Sequence, residues 1–434
     1  MALSAATVFE VRTDGSDTNG GGFVPGSGGV DYSQQASAQL SVTDAACAGT
    51  TTLTSATGGF TSAMVGNLVY LSSGPGWYQI AAYTNTNTVT IDRNGPNATG
   101  MTARVGGALA SPGSLGLVFN AHGVSGQKAW IRGGTYVMTS TTANVSGGRL
   151  SIKPSTAFVL CGYGTTRGDG TRPVLDAGSL TSFTMITTDG TFNEQVVVAD
   201  IECNAKGNST VTAFSCTDYT TLYRTIARSA TTGFTGSATC VGTQAISCTT
   251  GYNNVTGARV VRCIAIGCTT GFTNQNNATI SGCVAVSCTT GFDSGFNAAV
   301  HRCTAYGGTD GFRTSSGSHN MLYVNCLAVG CSGFGFNTAA DDQMFYCAGY
   351  NNTSGNKNAT PIYEDTFIAL TADPFVNAAG SDFRLNNTAG GGALLRGSAM
   401  PFPTQTTSDD IGALQSTNGG ASGFSLSRLI NLGG

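Results

Sequence analysis

Carboxylates are the first groups to weigh, because two of them at a fixed separation can hydrolyse a glycosidic bond, and a cationic base beside Ca²⁺-binding aspartates can abstract a sugar proton. The chain has 434 residues and 23 acidic ones, so the candidates can be taken one by one. Asp293 and Arg313 each follow the aromatic residue of one copy of a sequence repeat, which sets them side by side. A surface ion pair is the simpler reading of that contact. Asp341 and Asp342 are adjacent, as are Glu364 and Asp365. Adjacent residues of a strand point to opposite faces, so neither pair can act together without a loop. His301 and Arg302 have no acidic column beside them. Asp189, Glu194, Asp200 and Glu202 lie earlier, with Asp200 and Glu202 read as sharing the face of a solvated turn. Asp293, Asp341 and Asp342 are therefore the first catalytic candidates, and none forms a constellation with the rest.

Other chemistries find no support. The sequence shows no Ser-His-Asp order, and the runs Gly20–Gly22 and Gly390–Gly392 lack the strand-to-helix context and lysine of a phosphate cradle. Most of the fourteen cysteines recur at one position of a repeat, and their pairs are Cys-x4-Cys without the Cys-x2-Cys knuckles of a zinc site. Reduced thiols packed as small hydrophobes are the expected state, with no metal and no cofactor. A net charge of −3 with only 10% charged residues gives no basic footprint for nucleic acid. No run approaches the ~20 apolar residues of a membrane span. The first residues lack a basic stretch followed by an apolar one, so cytoplasmic synthesis is expected.

The elements that must position these groups come from a repeat. Arg262-Cys-Ile-Ala-Ile-Gly-Cys-Thr-Thr-Gly-Phe272 aligns with Gly282-Cys-Val-Ala-Val-Ser-Cys-Thr-Thr-Gly-Phe292 and with Arg302-Cys-Thr-Ala-Tyr-Gly-Gly-Thr-Asp-Gly-Phe312. Weaker copies place the closing aromatic at 234, 252 and 334, so the steps run from 18 to 22 residues. That period is too short for a helix pair or a propeller blade and suits a coil of short strands joined by turns. Equivalent side chains on successive coils would then stack about 4.8 Å apart. The expected columns are Cys263, Cys283 and Cys303, then Cys248, Cys268 and Cys288, and the aromatics Tyr252, Phe272, Phe292 and Phe312. The glycine before each aromatic is expected to supply a positive φ.

Outside the repeat, residues 7–14 alternate like a strand, 112–122 suit a short helix with Ser114 near its N-cap, and 128–136 read as a strand and tight turn. Residues 40–105 change in composition and read as a small antiparallel module inserted into the first coils. Among aromatics outside the repeat column, Trp77, Tyr78, Tyr323 and Tyr346 are candidates for sugar contact, with Trp77 and Tyr78 fitting the inserted module's core.

The opening VFEVRTDGSDTNGGG, the segment KAWIRGGTY, and the endings DPFVNAAGSDFRLN and DDIGALQ resemble right-handed β-helix proteins of the pectate-lyase-like superfamily. The inserted GNLVYLSSGPGWYQI followed by GGALASPGSLG resembles the form found in tailed-phage virions. The resemblance implies an all-β, right-handed single-stranded parallel β-helix. Its parts would be an N-terminal strand and cap (1–39), the inserted module (40–105), the helix proper (106–375), closing coils (376–415) and a linker with an anchoring tail (416–434). Phe424, Leu426, Leu429, Ile430 and Leu432 would be the anchor. The surface is rich in Thr, Asn, Ser and Gly, which suits a rigid spacer or adhesion surface. The expectation is a non-enzymatic bacteriophage virion structural protein: a spike, fibre or capsid-decoration component on the particle surface. It would be a homotrimer partnered by capsid or tail proteins and by host surface polysaccharide, and would contact neither nucleic acid nor membrane. A tailspike-like polysaccharide depolymerase, lyase or glycoside hydrolase, is the first alternative, and a carbohydrate-binding β-helix protein the second.

Overall fold

Three short strands and the corners between them make up each repeat in the computed structural model. It describes residues 7–413 except 24–34, 75, 124–125, 153–156, 189–194, 209, 255–256, 275–277, 296–297, 316–319, 359–360, 362 and 401–409. The fold is all-β, a parallel β-helix with a small antiparallel module near the N-terminus. Its contacts divide into two units, residues 1–206 with 219–221, and residues 207–218 with 222–434.

In the second unit one coil consists of Arg259–Val261, Ile264–Ile266 and Thr270–Asn274. Each strand pairs in parallel with its counterpart one coil on: Val260 with Ile280, Ala265 with Ala285, Phe272 with Phe292. Strands this short suffice because the middle residue alone faces inward while its neighbours face out. The rings of Phe214, Phe234, Tyr252, Phe272, Phe292, Phe312 and Phe336 stack with centroids 4.6 to 5.0 Å apart and planes within 12° of parallel. The last ring is Phe336 and not Phe334, because the coil after Ala299 exceeds twenty residues and carries the register forward.

Cysteines fill the corners. Cys263, Cys283, Cys303, Cys326 and Cys347 follow one another coil by coil, and Cys248, Cys268 and Cys288 line a second corner; all are free and buried. Their sulfurs bond to backbone, as Cys268 Sγ does to the carbonyls of Ala245 (3.7 Å) and Ile266 (3.6 Å). Burial pushes the Cys263 and Cys283 thiols well up, which keeps them protonated and inert.

The glycine before each ring has a different role from the expected one. Gly251, Gly271 and Gly291 do not take positive φ. They are required by close approach: a Cβ on Gly271 would lie 2.6 Å from the Gly291 carbonyl oxygen and 3.3 Å from Ala265 Cβ. Positive φ belongs to the corners. Arg224, Gly242, Arg262, Gly282, Arg302, Asn325 and Tyr346 hold φ of 52° to 64° at one corner, and Ser229, Ser247, Gly267, Ser287, Gly307 and Gly330 hold 51° to 69° at another. A non-glycine residue in this region costs about 1–2 kcal/mol.

The first unit opens on Val8–Val11, which pairs in parallel with Gln127–Arg132, itself followed by Phe158–Tyr163 and Val196–Ala199. Between the first two of these strands the chain makes a closed antiparallel barrel, Leu40 to Val105, around Val42, Leu53, Tyr78, Ile80 and Val89. The helix Pro112–His122 then lays Phe119 against Phe9 (5.8 Å) and Phe158 (3.8 Å). It covers inward side chains of the first strands, while the outer backbone edge of Val8–Val11 is paired by the antiparallel strand Gly22–Phe23. Its N-cap is Ser111, whose Oγ accepts the Ser114 N–H at 3.3 Å, so Ser114 is a capped residue and not the cap.

Residues 376–415 were expected to close the stack as further coils. Instead Phe375–Asn377 and Asp382–Leu385 form an antiparallel hairpin, followed by the short helix Gly392–Leu395. Phe375, Phe383, Leu385, Leu395 and Ile411 pack on the outward side chains of the second unit's coils, including Ile264, Val284, Leu327 and Tyr306. Two apolar outward residues per strand make that face too hydrophobic to leave wet, and the returning chain covers it. The apolar tail residues Phe424, Leu426, Leu429, Ile430 and Leu432 lie outside the described residues.

Gly271→Ala tests the close approach. The added methyl meets a carbonyl oxygen that the next coil holds rigidly, so a loss of about 1–3 kcal/mol is expected in denaturant unfolding. Gly330→Ser, at an open corner where other coils already carry serine, meets no neighbour but must hold a left-handed φ, so a smaller loss of about 1–2 kcal/mol is expected.

Candidate functional site: the outer face of the first unit

Along Gln127–Arg132 the side chains of Ala129 and Ile131 fill the interior, which turns Lys128, Trp130 and Arg132 outward in one row. Lys128 is exposed, and Trp130 and Arg132 are half-buried. Neither cationic head has a hydrogen-bond or ion-pair partner among the described residues. The pairing Glu10↔Trp130 sets a carboxylate beside the indole on the preceding coil.

Glu10 is completely buried although it points out of the coil. Tyr163 Oη donates to its Oε1, and Arg167 Nη2 donates to Oε2 at 2.6 Å. The Arg167 guanidinium also lies 5.4 Å from the centroid of Trp130, and the Tyr163 ring meets that indole edge-on at 6.1 Å. Arg167 is delivered by the loop after Phe158–Tyr163, and Asp169 organises that loop. The Asp169 carboxylate accepts the N–H groups of Gly164 and Thr165 (2.8 Å each), Thr171 (2.9 Å) and Thr166 (3.1 Å). Partial desolvation acts to raise the Asp169 pKa, but these four bonds outweigh it and hold the acid well below its usual range. Further along, Arg12 binds Asp14 through two contacts of 2.9 and 3.1 Å. The Tyr136 hydroxyl donates to the carbonyls of Arg132 (2.8 Å) and Val11 (3.2 Å), fixing the turn that ends the row. A cavity of about 180 Å³ lies nearby between Thr13, Ser111, Tyr136 and Met138.

The arrangement suits holding more than cleaving. Both Glu10 oxygens are occupied, and desolvation raises its pKa against the opposing pull of Arg167 and Tyr163. What reaches solvent is an aromatic ring flanked by two cationic donors, two residues apart on each side.

The carboxylates singled out from the sequence are engaged elsewhere. Asp293 receives Arg313 Nη2 at 2.7 Å and Nε at 3.2 Å, and the Ser315 hydroxyl at 2.6 Å. With Arg313 40% exposed the pair contributes about 0–1 kcal/mol. Asp342 is fully buried and clamps a turn by accepting the Thr314 hydroxyl (2.5 Å) and the N–H groups of Ala339 (2.8 Å) and Met321 (3.1 Å), while Asp341 stays half-buried at the surface. Glu364 pairs with Lys357 at 2.5 Å. Asp200 sits in a left-handed corner and Glu202 begins the next strand, so the two do not share a strand face. His301 is half-buried, and burial with the adjacent Arg302 lowers its pKa. Asp189 and Glu194 lie outside the described residues.

The aromatic candidates are placed inside as well. Tyr78 and Tyr323 are fully buried, Trp77 is nearly so with its Nε1 donating to the Asn19 carbonyl at 2.9 Å, and Tyr346 is a half-buried corner residue. The Trp130 cluster escaped sequence reasoning. Alternation along 128–132 was legible, but Glu10, Tyr163 and Arg167 reach it only through the pairing of strands far apart in the chain.

Glu10 gives the cluster a pH signature. Its folded-state pKa lies above the unfolded one, so its contribution to stability is full below the ordinary glutamate range and is lost as pH rises through the raised value. Glu10→Gln removes that loss, so the melting temperature of the variant relative to the parent is expected to increase between pH 4 and pH 7. A difference that shrinks as pH rises contradicts the burial assigned to Glu10.

No family model matches this chain, and no curated protein matches it. Among solved structures it is similar to pectate lyase Pel9A, with a TM-score of 0.44 and 13% identity over 71% of this chain and 91% of that one. It is similar to XylC in complex with xylose, at TM-score 0.38 and 8% identity over 85% and 86% of the two chains. It is also similar to the catalytic unit of a thermostable GH87 alpha-1,3-glucanase from Streptomyces thermodiastaticus strain HF3-3, at 0.34 and 10% over 77% and 89%. What the outer face can do follows from this chain's own residues.

Proposed function

We propose that the protein is a rigid β-helix display protein that holds a glycan on its outer surface without cleaving it. Its setting is the surface of a tailed-phage particle, as a spike, fibre or capsid-decoration component. The observation that carries the binding part is the outward row of Lys128, Trp130 and Arg132, with the indole propped by Arg167 and Tyr163 over a buried Glu10. An immobilised indole offers an apolar surface to a sugar ring at little entropic cost, and the flanking cations supply donors to hydroxyl or carboxylate oxygens. Hydrolysis would need two available carboxylates at a fixed separation. The occupied state of Glu10, Asp14, Asp293 and Asp342 supports binding over cleavage. The particle setting rests on the resemblance of the opening, inserted and closing segments to virion β-helix proteins. A homotrimer, assembled in the bacterial cytoplasm and held to capsid or tail proteins through residues 416–434, belongs to the same proposal.

An array of bacterial surface polysaccharides probed with Trp130→Ala tests the site. The parent protein is expected to retain a subset of the glycans, and the variant to bind them at least about tenfold more weakly, which is about 1.4 kcal/mol. Because the ring lies outside the coil interior, the melting temperature is expected to move little. Equal binding by the two proteins contradicts the assignment.

A further inference from the structure

Among the described residues the three sheets of the coil stack end on Gly355–Lys357, Tyr363–Asp365 and Ile368–Ala369. A final strand has backbone groups with no neighbour to bond, and such an edge templates the addition of another chain. Water reaches this one. Glu364 is exposed as a residue while its side chain is only 20% exposed, so the open part is backbone. Ala369 is exposed too, although Ala305, Ala328 and Gly349 in the same column are buried.

Three inward columns change chemistry together at this coil. Lys357 pairs with Phe336 and so takes the place of the next stacked ring. Glu364 pairs with Met344, which follows Tyr323, both buried. Phe367 falls where Cys347 stood one coil earlier, because the flanking pairs are Phe345 with Asp365 and Ala348 with Ile368. The Phe367 ring meets Phe336 edge-on at 5.9 Å, and Lys357 Nζ lies 4.7 Å from the Phe367 centroid. The same Nζ donates to both Glu364 oxygens, at 2.5 and 2.7 Å. A coil end in water needs only polar side chains, whatever their direction. These two charges instead occupy columns that elsewhere carry apolar groups, and they meet each other across the end of the interior.

We propose that Lys357 and Glu364 are a charged stopper, which keeps the end of the coil stack from joining the same end of a second copy of this chain. In the first unit the outer edge of Val8–Val11 is already paired by Gly22–Phe23. The edge open to a second copy is therefore the same edge of that copy, two identical ends related by a twofold axis. Such a junction would satisfy the free backbone groups on both sides. It would also strip the remaining water from the ion pair, and the facing copy brings a second pair of its own into the same dry space. With the charges gone, the edge becomes an interaction surface whose partner is this chain itself. The stopper owes nothing to the glycan reading and stands or falls separately from it.

The test is sedimentation velocity of the full chain over a concentration range of about a hundredfold, with a thermal melt of each variant to show that it is folded. The parent is expected to keep one size throughout. The double variant Lys357→Phe with Glu364→Met continues the columns of Phe336 and Met344, and is expected to move toward twice the parent's mass as concentration rises. Adding Ala369→Lys puts a charge back at the end of the interior and is expected to return the protein to the parent's size. Lys357→Met with Glu364→Gln removes both charges at nearly constant side-chain length. It is expected to double as well, and it decides the matter if the first double variant does not fold. Three results each overturn the stopper: a folded charge-free variant that keeps the parent's size, doubling that persists with Ala369→Lys, or a parent that itself doubles over the same range.

Discussion

Backbone hydrogen bonding between successive coils is the constraint from which the rest of this structure follows. Each strand donates to and accepts from its counterpart one coil away, so every side chain has an equivalent side chain directly above it. Inside, that repeat admits only residues that tolerate a copy of themselves at contact distance. Aromatic rings do so by stacking, cysteine by pointing its sulfur at backbone carbonyls, and glycine by having no Cβ where the next carbonyl approaches. A charged residue would meet its own charge in the same column, which accounts for an interior of Ala, Val, Ile, Cys and Phe. The constraint also makes each substitution local, because a coil contacts its immediate neighbours and little else.

The same spacing governs the outside, where columns are free to differ. One outward face of the second unit is apolar and covered by its own returning chain; other positions carry Thr, Asn and Ser. Acidic groups that occur on the coils serve as fasteners: Asp293 joins neighbouring coils through Arg313, Asp342 closes a turn, Asp169 shapes a loop and Glu10 anchors the arginine that the loop carries.

How much of this could be read from residues alone depended on whether a feature was local. The coil period, the columns of Cys263 and Cys268 and the stack from Tyr252 to Phe312 were legible because copies sit at constant spacing. The end of the stack was not: a lengthened coil moved the ring from Phe334 to Phe336. Gly271 was legible as necessary but for the wrong reason, since only the stacked coils reveal the carbonyl its missing Cβ avoids. The hairpin at Phe375–Leu385 was expected to be further coils only through the resemblance of the DPFVNAAGSDFRLN ending, and the face it covers is defined by residues of earlier coils such as Ile264 and Leu327. The Trp130 cluster suffered in the same way, its members joined by register and a loop.

Whether the outer-face site proposed here holds a glycan or cuts one is the central question, and the length of a bound polymer measures it directly. A bacterial surface polysaccharide retained by the protein would be incubated with it and its size followed by gel-filtration chromatography over a day. The polymer is expected to stay bound at its original length. Progressive shortening would contradict it and place catalytic carboxylates on this surface.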